Sequence, residues 1–556
     1  MLSTKRDVAH PRTVNTSTFA LSAGSHTQCF SAHGEINRKP LSQGPKPDKK
    51  NPLVQANRLI VTPVRVLTLE HFLNGYDEDL KTFLCKGFGE GFHLQYNGPR
   101  QSRRSSNLLS VKEHEDIVTL KLQKEISLGR IEGPFEVPPF ENLQCSPIGL
   151  VPKKEINEFR LIHHLSYPEG GSVNDFIPDD LCSVSYTTID DAIKLIKKIG
   201  KNCLLAKTDI ASAFRILPVH PNDHELLGIQ FKGSFYYDKC LPMGCSISCS
   251  IFETFSTALQ WIACSKFGVP NMLHILDDFL FIGPPNSAIC HSSLKQFLSM
   301  CDVLGIPIKS EKTEGPSTTM VFLGIELDTI KMEARLPQEK IQKIKLALDS
   351  AKKCKKITLR KLQSLIGLLN FACCVVVPGR AFLRRLINLT KGVSKPHFRI
   401  RLNKQARLDL EAWSEFINNF NGKSIFIDEV LQNSDKFNMY TDAAGSLGYG
   451  AVLGKKWFYG GWEEIHLQEY DITFKELLPI VVAVETWGES LANSSILFYS
   501  DNMAVVNIIN KISSKDVPVM HLVRRLVLAC LRFNILFKAE HIPGKLNILP
   551  DLLSRL

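Results

Sequence analysis

The sequence predicts an α+β chain of several domains that closes in a separate α/β unit, and three observations carry that expectation. Apolar, strand-like runs end on or enclose acids at residues 204–209, 273–282 and 496–501. Helical periodicity dominates residues 337–418. From Phe437 onward come three strand-like runs, a helix, a strand, helices, a strand and a last helix.

The chain has 556 residues, 44% hydrophobic and 22% charged, enough for several cores. We divide it into 1–60, 61–140, 141–335, 336–430 and 431–556. Residues 1–60 are rich in Ser, Thr, Pro, Asn and Lys with little periodicity, which predicts a basic, disordered segment. Residues 61–140 lead into the next domain, with 112–128 expected as one amphipathic helix and 134–139 as an extended stretch. A β-hairpin is expected over 147–165, a helix over 189–199, then the strand ending at Asp209. A helix over 246–266, the acidic hairpin around Asp277 and a helix over 287–304 follow.

No apolar run reaches the roughly 18–20 residues of a membrane span, and no secretory pattern opens the chain. An intracellular protein, cytoplasmic or nuclear, is expected. Fifteen cysteines lack any CxxC pair; Cys240, Cys245 and Cys249 lie close together without a histidine, so free thiols in a reducing compartment are expected. The formal charge is +11, but residues 340–409 hold 18 Lys and Arg against Asp349 and Asp409, a net +16. Such a segment suits a nucleic-acid track, with Lys352, Lys353, Lys355 and Lys356 as its densest part.

Asp277 and Asp278 stand side by side in an apolar run, which places them at the tip of a hairpin. Adjacent buried carboxylates are costly unless cations compensate them. Hard divalent ions such as Mg²⁺ take oxygen ligands and leave room for phosphate and water. Asp209, ending the strand upstream, is the third acid that a site for two metals about 3.5–4 Å apart needs for phosphoryl transfer.

Asp209-x4-Phe214, Leu241-Pro-Met-Gly-Cys-Ser246, Leu276-Asp-Asp-Phe279, Lys312 and Phe322-Leu-Gly324 occur in the order of the palm motifs of reverse transcriptases, which the chain resembles. The resemblance implies a right-hand polymerase of fingers, palm and thumb. It implies that Asp209, Asp277 and Asp278 form the metal site, with Mg²⁺ or Mn²⁺, two per active site. Lys153 (or Lys154) and Arg160 would clamp the dNTP phosphates, and Phe214 would exclude a 2′-hydroxyl. Gly244 would let the backbone approach the nucleotide beside Met243, and Lys312 would be a general acid at the leaving pyrophosphate. Ile275 stands where many relatives carry Tyr, and Met243 replaces a polar residue some relatives use.

The C-terminal unit, with Asp442, Glu476, Asp501 and Asp551 in Thr-Asp and Tyr-Ser-Asp-Asn contexts, resembles ribonuclease H. That resemblance implies four carboxylates holding two metals, with His541 on a mobile loop near the leaving product. Glu476 is expected to open its helix, with Pro479 in the first turn. Polymerase, basic helical connection and ribonuclease H in this order resemble a retroelement Pol polyprotein. Two segments, 362–371 and 377–386, look most like DIRS-like, tyrosine-recombinase retrotransposons. The implied partners are template-primer, RNA–DNA hybrid and dNTPs, with a recombinase or other element-encoded protein besides. The alternatives are a domesticated or decayed copy that only binds nucleic acid, and a maturase or telomerase-like polymerase. The latter does not explain the ribonuclease unit.

Overall fold

The computed structural model describes residues 60–153, 158–419, 424–426, 432–433, 439–462, 469–544 and 548–555. Lys154 and residues 1–59, where the disordered segment is expected, lie outside them. The chain divides into two compact units, one ending at Ala334 and the other beginning at Arg335.

In the first unit, β1 (Ile148–Pro152) and β2 (Phe159–His163) form the expected antiparallel hairpin, with Val151 opposite Arg160. Helix α1 (Ile189–Ile199) starts at a capping box in which Thr188 and Asp191 satisfy each other's backbone N–H. It leads into β3 (Leu204–Asp209), one of the two inner strands of a four-stranded antiparallel sheet. Helix α2 (Ser248–Lys266) lies before β4 (Met272–Ile275) and β5 (Asp278–Gly283). Helix α3 (Ile289–Leu304) follows, and β6 (Glu314–Ser317) completes the sheet in the order β6-β3-β5-β4. Phe252 and Phe255 of α2, Phe279 and Phe281 of β5 and Phe297 of α3 are buried in one core, which explains why these elements pack as layers. A separate five-stranded sheet includes the hairpin of Gly228–Phe231 and Ser234–Asp238.

The single helix expected over 112–128 is two helices, Leu109–Glu113 and Glu115–Ser127, broken at His114. His114 has φ −141° and ψ 50°, outside the helical region. Apolar periodicity continues across the break, so the pattern alone could not show it.

The second unit opens with helix α4 (Gln338–Lys353) and the short ribbon of β7 (Lys356–Thr358) and β8 (Arg399–Arg401), with α5 (Leu359–Ala372) and α6 (Lys404–Asn419) around it. Strands β9 (Met439–Ala443), β10 (Gly448–Leu453) and β11 (Lys456–Gly461) form an antiparallel meander. Helix α7 (Ile472–Trp487), β12 (Ser495–Ser500), α8 (Met503–Lys511), α9 (Val517–Arg532), β13 (Leu536–His541) and α10 (Ile548–Leu553) follow. Strands β12 and β13 run parallel. Asp409 is not a surface charge: it is fully buried and pairs with Arg524, tying α6 to α9.

Pro479 lies in the middle of α7, not in its first turn, because the helix starts four residues before Glu476, capped by Asp471 accepting from Phe474 N–H at 2.9 Å. Buried residues on most faces of α7 hold it together despite the missing amide. Among the described residues no helix is long and apolar enough to cross a membrane. Cys240 and Cys245 are buried free thiols and Cys249 is a half-buried one.

Candidate active sites

The register of β5 on β3 places Asp278 directly opposite Asp209, and Asp277 occupies the two-residue turn between β4 and β5. Asp277 is tied to the same strand end, since its carbonyl accepts from Ile210 N–H at 3.0 Å. Two strand ends thus bring Asp209 to the Asp277–Asp278 pair, which lies 68 or more residues further along the chain. Burial pushes the Asp277 carboxyl above its ordinary range, and Asp209 adds to the effect. Asp278 is pushed up to about 6 by burial and by its two acidic neighbours. Like charges crowded at a partly dry strand end resist ionising together.

Asp209 is buried, and both of its oxygens are met by ammonium groups. Lys309 Nζ lies 2.5 Å from Oδ1, and Lys312 Nζ contacts Oδ2. Burial opposes the charge on Lys312, but its hydrogen bond to Asp209 and the field of all three acids hold that ammonium above its usual range. Lys309 is fixed there by the backbone as well, its N–H donating to the Asp209 carbonyl at 2.9 Å. Sequence reading missed Lys309; its spacing three residues before Lys312 was the available signal. The donor set is all carboxylate, and the chain's own cations gather on it, so the site fits hard divalent ions.

The other expected residues are dispersed around this centre. Phe214 is half-buried in the short turn Ala213–Ile216, edge-on to Phe252 with ring centroids 5.5 Å apart. Gly244 has φ 121°, and an added Cβ would stand 2.2 Å from the His163 carbonyl oxygen. The close approach that requires glycine is therefore to the β1–β2 hairpin, and Asn174 fastens the same loop by donating to the Gly244 carbonyl at 2.8 Å. Met243 is also bound to this hairpin, its carbonyl accepting from His163 N–H. Lys153 and Arg160 are exposed on the hairpin, where Lys153 pairs with Glu158 at 2.7 Å.

In the second unit Asp442 on β9, Glu476 on α7 and Asp501 just after β12 bring carboxylate oxygens within 4.8 Å of one another. Burial, followed by Asp442 and Asp501, pushes the Glu476 carboxyl up to about 8. Asp551, on α10, is not one of these three and pairs with Arg555 at 2.7 Å. Ser554, directly after this short helix, fastens it to the site by donating to Asp442 Oδ2 at 2.9 Å. His541 ends β13 with its Nε2 3.1 Å from the Asp501 carbonyl oxygen, and an added Cβ on Gly544 would stand 2.9 Å from Asp501 Oδ2. The loop after β13 thus runs past Asp501.

Of the basic segment, Lys353 and Lys355 line one open pocket with Arg401, Leu402 and Arg407. Arg407 is occupied in donating to the Lys352 and Cys354 carbonyls at the end of α4. Lys356 stands opposite Arg401 across the β7–β8 ribbon, and Lys352 pairs with Asp349 at 3.2 Å.

Residues 151–327 match the family described as reverse transcriptase (RNA-dependent DNA polymerase). The chain is 24% identical to the genome polyprotein of Petunia vein clearing virus over 394 residues, covering 69% of this chain and 16% of that polyprotein. It is 28% identical to Protein P of Heron hepatitis B virus over 171 residues, covering 29% of this chain and 20% of that protein. The chain therefore spans a fifth or less of the length of these curated relatives. Among solved structures, a foamy viral protease-reverse transcriptase in complex with double-stranded DNA is 16% identical, with a TM-score of 0.48, over 88% of this chain and 84% of that one. The carboxylates at the meeting of β3 and β5 lie within the segment that matches the reverse transcriptase family.

Proposed function

We propose that this chain is the RNA-directed DNA polymerase of a retroelement, extending a primer with dNTPs and cutting the RNA strand of RNA–DNA hybrids through residues 439–555. The placement of Asp209 opposite Asp278, with Asp277 in the adjoining turn, carries the reading. The resemblance of 362–371 and 377–386 supports an element of the DIRS-like kind.

Asp209, Asp277 and Asp278 would hold two divalent ions, Mg²⁺ or Mn²⁺, which when bound supply an activated 3′-hydroxyl and neutralise charge on the phosphoryl oxygens. Asp209 exchanges its ammonium partners for that role, which frees Lys309 and Lys312 beside the acids. Lys312 is then a cationic donor able to give a proton to the departing pyrophosphate. Arg160 and Lys153 are exposed on the hairpin for phosphate contact, where the planar guanidinium suits bidentate binding. Phe214, held by Phe252, is the sugar gate. Phe214→Ala should raise ribonucleotide relative to deoxynucleotide incorporation, and an unchanged ratio of catalytic efficiencies would make it packing alone.

Asp442, Glu476 and Asp501 form the hydrolytic centre, with His541 beside Asp501. Asp551 joins them once its ion pair with Arg555 opens. Template-primer, hybrid and dNTPs are the partners, and a recombinase encoded by the same element is a further one. The test is a primed RNA template with dNTPs and Mg²⁺, following extension and template cleavage in one tube. A wild-type protein that binds the template but does neither would leave a nucleic-acid-binding protein.

A further inference from the structure

Leu276 immediately precedes Asp277 in the turn of the acidic hairpin and has φ 49°. That left-handed conformation is strained for a residue with a bulky side chain and persists only where the surroundings impose it. Here both polar groups of Leu276 are held by α2. Glu253 Oε2 accepts from Leu276 N–H at 2.7 Å, and Ser256 Oγ donates to the Leu276 carbonyl at 2.8 Å. Glu253 and Ser256 are three residues apart and so share one helix face.

Glu253 is itself buried, and a carboxylate in an apolar layer is costly unless something holds it. Its other oxygen lies 3.4 Å from Nε2 of His274, a buried residue of β4. His274 Nδ1 meets Gln260 Oε1, and the Gln260 amide is oriented by donating to the Met272 carbonyl at 3.1 Å. An apolar side chain at 253 would fill this space without the burial cost, so packing alone does not account for the acid.

We propose that Glu253 is a positioning residue of the polymerase site, holding the Leu276 turn so that Asp277 faces Asp209 and Asp278. The inference rests on the polymerase reading. Without the carboxylate, Leu276 N–H loses its partner and the residue relaxes toward negative φ, which turns the peptide leading into Asp277. Misplacement of a catalytic group by about 1 Å can cost up to about a hundredfold in rate.

The test compares wild type, Glu253→Gln, Glu253→Ala and Ser256→Ala by primer extension across Mg²⁺ concentrations, by Mn²⁺ binding and by thermal melting. Glu253→Ala should lower kcat about tenfold or more, raise the metal concentration for half-saturation, and change KM for dNTP much less. Glu253→Gln keeps an oxygen acceptor for Leu276 N–H and should recover most of the loss. A folded Glu253→Ala with wild-type kcat and metal half-saturation overturns the proposal. If that variant does not fold, Ser256→Ala decides, since it removes only a hydroxyl: a lower kcat with weaker Mn²⁺ binding supports the proposal, and wild-type behaviour overturns it. A wild-type protein without extension would sink the polymerase reading instead, and the Mn²⁺ binding of the variants would still judge the role of Glu253.

Discussion

Lys309 is joined to Asp209 twice, its backbone N–H donating to the Asp209 carbonyl at 2.9 Å and its ammonium lying 2.5 Å from Oδ1. The buried acid of the proposed polymerase centre is therefore compensated by the chain itself, and a divalent ion bound there would compete with that ammonium.

Lys309→Met should tighten Mn²⁺ binding, measured by electron spin resonance, because one competing cation is gone. The metal-free protein should lose about 1.5–3 kcal/mol of stability, the range for a hydrogen bond to a charged group. Unchanged Mn²⁺ affinity would mean that Lys309 leaves the site at no cost.

Glu476 gives a pH dependence in the second unit. Its folded-state carboxyl titrates at about 8, whereas an unfolded glutamate titrates near about 4.3. The folded state binds this proton more tightly, so the stabilisation is complete below the unfolded value and is lost as pH rises through about 8. Melting temperature in chelator should fall between about pH 5 and pH 8 in wild type. The fall should be shallower in Glu476→Gln, and Mg²⁺ should oppose it. Parallel pH curves for the two proteins would contradict the shift.

The lysines in the last turn of α4 and just after it should act through phosphate. Replacing Lys352, Lys353, Lys355 and Lys356 by Ala should weaken hybrid binding and flatten its salt dependence, each lost contact reducing the log–log slope by roughly 0.7–0.9. Lys353 and Lys355, which line one pocket with Arg401, should carry more of the effect than Lys352, already paired with Asp349. Parallel lines for wild type and variant would make this a solvated face.

Asp209 and Asp501 were legible because each ends or directly follows a short apolar strand, and Asp277 and Asp278 because they sit at the tip of an apolar hairpin, local patterns that survive in sequence. The hairpin of 148–163 and the helix of 189–199 were legible for the same reason: periodicity and capping are local. Glu253 and Lys309 were not, because their meaning lies in partners 23 and 100 residues away, Leu276 and Asp209. The break at His114 and the central place of Pro479 were hidden for another reason. Apolar spacing runs on across His114, and the Asp471 cap that starts α7 stands before its apolar run. Gly244 was singled out from its motif, but the carbonyl that makes glycine necessary belongs to His163, on a different hairpin.

The most direct test separates the two carboxylate centres in one protein. Asp277→Asn neutralises a carboxylate at the turn between β4 and β5, and Asp501→Asn neutralises one in the trio of the second unit. Primer extension and template cleavage are then followed together on a primed RNA with Mg²⁺. We expect Asp277→Asn to abolish extension while hybrid cleavage persists, and Asp501→Asn to abolish cleavage while extension persists, since each loses charge stabilisation at one centre only. Extension at the wild-type rate by folded Asp277→Asn would contradict the assignment of the polymerase site.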